Sequence, residues 1–380
     1  MNPFTLLIHY GLPFLCVLTV LVFIHELGHY LVARWNRVRV EVFSIGFGPE
    51  IFGWTDRAGT RWKVSLLPFG GYVRMFGEMA SEEAEGGEQK PALTEADRAV
   101  SFSHKRLGQR AAIVVAGPVA NFLFAIVVSA ILFATIGQQL TSTVVSVVTP
   151  GSAAAAAGIE PGDKIVALNG QPVSRFEDIA AAVMLGLGEP LHLKIERAGK
   201  AVELDATPQI VEQVDIFGDK HRIGQLGIQS TPSGGTIVRY GPATAVWMAV
   251  VETYQRSVGM LRAIGQIVEG IRPSNEVGGV LRIAKMSGDI ASRSLIDVVD
   301  FAVLLSINLG LINLFPVPLL DGGRLLFYGA EALRGRPLGP RAEEWGLRLG
   351  LALVLSLMLF ATWNDLVSLN VIQFLKHIFA

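Results

Sequence analysis

Five residues carry the strongest chemical signal in the chain: His25-Glu26-Leu27-Gly28-His29. On a helix, positions i and i+4 lie about 40° apart in azimuth, so both imidazoles face one way. Two neutral ring nitrogens one turn apart suit tetrahedral Zn²⁺. Glu26 falls about 100° from His25 and about 60° from His29, within reach of a metal-bound water. Its candidate roles are general base, then proton donor to a leaving amine. With 7 His in 380 residues, this motif arises in roughly 0.7% of shuffled chains. The spacing therefore implies metal-assisted hydrolysis.

A catalytic zinc needs a third protein ligand and an open fourth position. The single cysteine, Cys16, lies upstream on the same segment, which excludes a disulfide framework and a cysteine-rich zinc site. The best candidate is Asp321, in Asn313-Leu-Phe-Pro-Val-Pro-Leu-Leu-Asp321-Gly-Gly. Pro316 and Pro318 break a helix there. Broken backbone at membrane depth is tolerated where it lines a cavity.

The elements that must position these residues are apolar. Hydrophobic residues make up 51% of the chain and charged residues 17%, against about 25% charge in a soluble domain. Net charge is -1, so no nucleic-acid footprint is present. Four stretches can cross a bilayer: residues 1–33, 111–137, 301–320, and 349–364 with an extension through 366–375. The first lacks a basic n-region, and a charged motif sits at its end, so it reads as a retained helix rather than a signal peptide. His25, Glu26 and His29 thus lie at membrane depth, where ionisable groups are functional by default.

Residues 34–110 hold twelve Lys/Arg, and residues 324–348 hold five. The positive-inside rule puts both loops in the cytoplasm and both termini outside. The first and third spans then run the same way, and Asp321 falls in the same cytoplasmic half as His25 and His29. The expected fold is a polytopic α-helical membrane protein with about four transmembrane helices. Its divisions are 1–36, the first span; 37–109, a cytoplasmic β-hairpin region with an acidic linker; 110–137, the second span; 138–232, an outside domain; 233–295, amphipathic interfacial helices; 296–324, the third span; 325–346, a cytoplasmic loop; and 347–380, the fourth span and tail. Residues 38–76 alternate apolar and polar between glycine turns and suggest short strands. Residues 78–97 carry seven acidic residues and read as a solvated linker. Residues 242–271 admit Glu252 and Arg256 near their middle, so an interfacial helix fits better than a fifth span.

The outside segment contains PGS-A-A and then I-E-P-G-D-K-I-V-A-L-N-G at 159–170. This run resembles a PDZ domain, an α+β module that binds peptides by adding a strand to an open sheet edge. Leu226-Gly227-Ile228 is a candidate for that edge.

HELGH at 25–29, GFGP at 46–49, GGYVRM at 70–75, the PDZ-like module and SINLGLINLFPVPLLDGG at 306–323 together resemble the site-2 protease family, closest to its RseP-type bacterial members. The resemblance covers nearly the whole chain. It implies His25, His29 and Asp321 as Zn²⁺ ligands and Glu26 as catalytic acid/base. It implies that Asn308 and Asn313 hold the substrate backbone, and that Gly70, Gly71, Tyr72 and Val73 offer it a strand edge. It also implies a bacterial inner membrane location and single-pass transmembrane substrates shortened beforehand by another protease, of the anti-sigma-factor or remnant-signal-peptide kind. Two departures are visible: one PDZ-like copy where some members have two, and Gly279 where the family often has proline. The alternatives are a membrane zinc protease of the HtpX type, with a downstream Glu as third ligand, and a non-catalytic PDZ membrane scaffold.

Overall fold

The computed structural model describes residues 5, 7–78, 93–214, 220–230 and 236–368. The acidic stretch 79–92 of the expected linker and the span extension past Ser368 lie outside the described residues. Four helices are long and apolar enough to cross a membrane, Leu7–Trp35, Leu107–Thr135, Leu295–Leu314 and Arg341–Ser368, which together with the strands make a polytopic membrane protein. The chain divides into two compact units, Met1–Val128 with Gly279–Thr362, and Ser129–Gly278 with Trp363–Ala380.

The first unit opens with a π-helical turn, Leu7–Gly11, and helix α1 (Leu12–Trp35). Pro13 stands in the first turn, where its missing N–H costs nothing. Strands β1 (Val40–Thr55) and β2 (Arg61–Met75) follow. Short strands were expected here, and the structure corrects this to two long ones. Gly46 and Gly48 in β1 and Gly70 in β2 take φ of +88°, +86° and +112°, so each ladder bends without ending. The bends bring four segments side by side. Residues 42–45 have Gly71, Tyr72, Val73 and Arg74 on one flank and Arg61, Trp62, Lys63 and Val64 on the other. Residues 71–75 therefore form an outer edge. This edge packs on α1: a Cβ on Gly71 would lie 2.8 Å from Val22 and 3.2 Å from Cγ of Glu26. Phe43, Val38, Val40, Ala33 and Ile113 bury together beneath the sheet, while Phe47, Ile51, Phe52, Leu66 and Phe69 near the bends stay exposed. Helix α2 (Leu107–Thr135) carries Pro118 in its interior.

The second unit holds a small β domain. It is built from β3 (Val145–Val148), β4 (Lys164–Leu168), helix α3 (Phe176–Leu185), β5 (Leu191–Arg197) and β6 (Lys200–Ala206). Asn169 and Gly170 both have positive φ, as a tight hairpin turn requires. In β5 the pattern L-H-L-K-I buries every second residue, so Leu191, Leu193 and Ile195 join Val145, Ile165 and Ile179 in one core. Strands β7 (Gln209–Val214) and β8 (Lys220–Gln225) form an antiparallel hairpin that the sequence did not reveal. Strand β9 (Ile228–Ser230) pairs with β3, so one side of the expected Leu226–Ile228 edge is already taken. Helix α4 (Pro242–Val268) is a single helix of 27 residues.

The chain returns to the first unit with α5 (Val280–Ala291) and α6 (Leu295–Leu314), whose N-terminus is capped by Ser294. Pro316 and Pro318 stop α6. Asp321 was expected at the end of this span; it is instead the first residue of a new helix, α7 (Asp321–Arg334), which occupies much of the segment expected as a loop. α7 ends at Gly335 in the left-handed conformation, and α8 (Pro340–Ser368) is the last helix described.

Within the β domain, buried Asp163 accepts from Arg197 Nε at 2.7 Å and Nη2 at 2.8 Å. These bonds hold its carboxyl below the usual range. Stability from a depressed carboxyl is present above the unfolded pKa of about 3.9 and lost as pH falls through the folded value. Asp163→Asn should speed amide hydrogen exchange in β4 about tenfold at neutral pH in the full-length protein, with the difference shrinking in acid. Equal exchange at neutral pH would contradict the clamp.

Candidate metal centre

α1 and α7 bring three ligand atoms together. His25 Nε2 and His29 Nε2 lie 3.2 Å apart. Asp321 Oδ2 lies 3.2 Å from the first and 3.4 Å from the second. A tetrahedral ion with bonds of about 2.0–2.1 Å separates its ligands by about 3.3–3.4 Å, so the triangle has the size Zn²⁺ requires. Both histidines are buried. Oδ2 of Asp321 is buried too and makes no hydrogen bond of acceptable geometry among the described residues, as befits a ligand aimed at a cation. Zinc therefore fits these residues.

Helix α2 supplies the support. His29 Nδ1 lies 2.9 Å from the Ile113 carbonyl, which can only accept. The ring proton therefore sits on Nδ1 and the Nε2 lone pair is left free. His25 Nδ1 lies 3.1 Å from the carboxamide of Asn121, at the position placed as Nδ2, and the Asn121 backbone carbonyl accepts from Ser306 of α6 at 2.9 Å. Gly117 makes the approach possible, since a Cβ there would fall 2.3 Å from His29 Nε2 and 2.9 Å from His25 Cε1. Sequence reasoning missed Asn121 and Gly117. The available signal was a lone carboxamide inside an uncharged run of apolar residues.

The three ligands open onto a cavity of 450 Å³. Glu26 lines it beside them, as do Gly70, Gly71, Tyr72 and Val73 of β2. Asn313 also faces it, but Asn308 is not among the lining residues. The two asparagines are five positions apart on α6, about 140° in azimuth. Of the two asparagines expected to hold substrate, Asn313 is brought to the cavity and Asn308 is not among its lining residues. Arg324, one turn into α7, lines the cavity and forms an ion pair with Glu78. The arrangement offers two imidazoles, one carboxylate, an adjoining cavity and a second carboxylate, Glu26, lining it, the constellation of metal-assisted hydrolysis.

The family model of peptidase family M50 matches residues 13–357. The chain belongs to peptidase family M50, the site-2 proteases. It is a zinc metalloprotease. An Agrobacterium fabrum protein provisionally named a zinc metalloprotease is 45% identical over 95% of this chain and 96% of its own length. A Rhizobium meliloti protein with the same provisional description is 43% identical over 94% and 97%. Metalloprotease MmpA of Caulobacter vibrioides is 37% identical over 96% and 97%.

Gly117→Ala should lower zinc affinity about 100-fold or more, because the methyl group would occupy the space next to both imidazoles. Metal analysis of the purified membrane protein checks this. Wild-type zinc retention would mean that α2 does not constrain the ligands.

Proposed function

We propose that this zinc protease is an intramembrane endopeptidase that cleaves single-pass transmembrane helices after another protease has shortened their outer side. The observation that carries the reading is the ligand triangle, which has two of its three members on an apolar span and opens onto a cavity walled by a sheet edge. A helix hides its carbonyls in hydrogen bonds, so its peptide must unwind before hydrolysis. Residues 70–73 and Asn313 can replace the lost bonds in an apolar setting. Bound zinc would polarise the scissile carbonyl and lower the pKa of its water to about 7. Glu26 takes a proton from the attacking water and returns it to the leaving amine. His25, His29 and Asp321 hold the metal.

The same reading assigns the chain to the bacterial inner membrane, with both termini and the β domain outside and the site toward the cytoplasm. The Lys/Arg excess in residues 34–110 supports that orientation. We assign the β domain a PDZ fold. In support, α3 and the Leu226–Ile228 stretch bound an apolar groove of 210 Å³ that could take a peptide strand. In α4, Trp247, Tyr254, Leu261 and Val268 recur every seventh residue and are exposed, while Glu252 pairs with Arg256 and Arg175. That division supports a helix lying in the outer interface. Anti-sigma factors and remnant signal peptides fit the substrate class.

Glu26→Gln should keep stoichiometric zinc and lose about 10³-fold in cleavage of a transmembrane peptide in detergent. Retained turnover would remove Glu26 from the chemistry. If the β domain excludes substrates that keep a folded outer domain, deleting residues 143–230 should admit them; unchanged selectivity would show that it does not.

A further inference from the structure

We infer that Asn121 is a positioning residue which fixes the ring tautomer of His25, by accepting the His25 Nδ1 proton on its side-chain carbonyl. The inference rests on the reading of His25 as a metal ligand through Nε2.

The geometry leaves little choice about which nitrogen is which. His25 Nε2, not Nδ1, faces His29 Nε2 and Asp321 Oδ2. For Nε2 to offer a lone pair, the proton of the neutral ring must sit on Nδ1. A buried Nδ1–H needs an acceptor. Among the described residues, the group within hydrogen-bond distance of it is the Asn121 carboxamide, placed with Nδ2 at 3.1 Å, on a residue with no solvent exposure. The two ends of a carboxamide have nearly the same shape, and the hydrogen-bond network decides which end faces a partner. Here the other end of the amide, placed as Oδ1, has no hydrogen-bond partner among the described residues. His25 alone therefore dictates the orientation, and a ligating His25 requires the oxygen toward Nδ1.

The two histidines are thus held by different means. His29 is tied to a main-chain carbonyl, which no substitution can remove. His25 is tied to a side chain, and that side chain belongs to a residue whose own carbonyl is bonded to Ser306 of α6. Asn121 therefore connects the α1 ligand pair to the helix that leads into Asp321.

Zinc affinity of the full-length protein in detergent, read by chelator competition, tests this, with the visible spectrum of the Co²⁺-substituted protein as a report on ligand geometry. Asn121→Leu should weaken zinc about 10–100-fold and alter the Co²⁺ bands. Asn121→Asp, which offers an acceptor at the same place, should restore affinity to within about threefold of wild type. If the Leu form does not accumulate, Asn121→Ala reads the same loss. Wild-type affinity in the Leu or Ala form overturns the inference, and so does equal loss in the Asp and Leu forms, which would indicate packing alone. His25→Ala run alongside separates the two layers: wild-type zinc affinity there would overturn the ligand reading itself and the inference with it.

Discussion

Three ligand atoms aimed at one point, two of them on a helix that is otherwise mostly apolar, form the constraint on which the structure depends. Buried polar atoms without partners are expensive, and Asp321 Oδ2 makes no hydrogen bond of acceptable geometry among the described residues while lying 3.2–3.4 Å from two ring nitrogens. A divalent cation removes that cost by supplying the missing positive charge. The same cluster would be a defect in a purely structural membrane helix, where an ionisable group has no water to solvate it. The rest of the first unit can be understood as what is needed to hold this cluster at the spacing of a metal site.

Each neighbouring element contributes something different. α1 provides two imidazoles on one face through the i, i+4 spacing. Asp321 comes from elsewhere in the chain because α6 ends at the prolines and a new helix begins, so the carboxylate lies in the first turn of α7. α2 approaches closely enough to tether both rings only because Gly117 has no side chain. The bent sheet provides the remaining wall. Its edge segment packs on α1 through Gly71, next to Glu26, so the strand that would receive a substrate and the carboxylate that would move its proton are set by one contact.

Much of this was legible in the sequence, and what was not has physical reasons. The HELGH spacing and the Pro-x-Pro break announce themselves locally, so His25, Glu26, His29 and Asp321 could be singled out and the structure brings all four to one cavity. Asn121 and Gly117 matter only through a tertiary approach of α2 to α1, which periodicity does not encode. Asn308 and Asn313 were both expected to hold substrate on resemblance; Asn313 lines the cavity and Asn308 does not. The strands of 40–75 were read as short because glycine and proline usually end strands, whereas here Gly46, Gly48 and Gly70 turn them. The β7–β8 hairpin escaped notice because β7 is largely exposed on both faces, leaving no alternating pattern to detect.

The central claim is that His25, His29 and Asp321 form the zinc site. X-ray absorption at the zinc edge of the metal-loaded, full-length protein tests it most directly. The account predicts a first shell of nitrogen and oxygen at about 2.0–2.2 Å, with outer-shell scattering from two imidazoles. A sulfur neighbour at about 2.3 Å, or an imidazole count other than two, would contradict it.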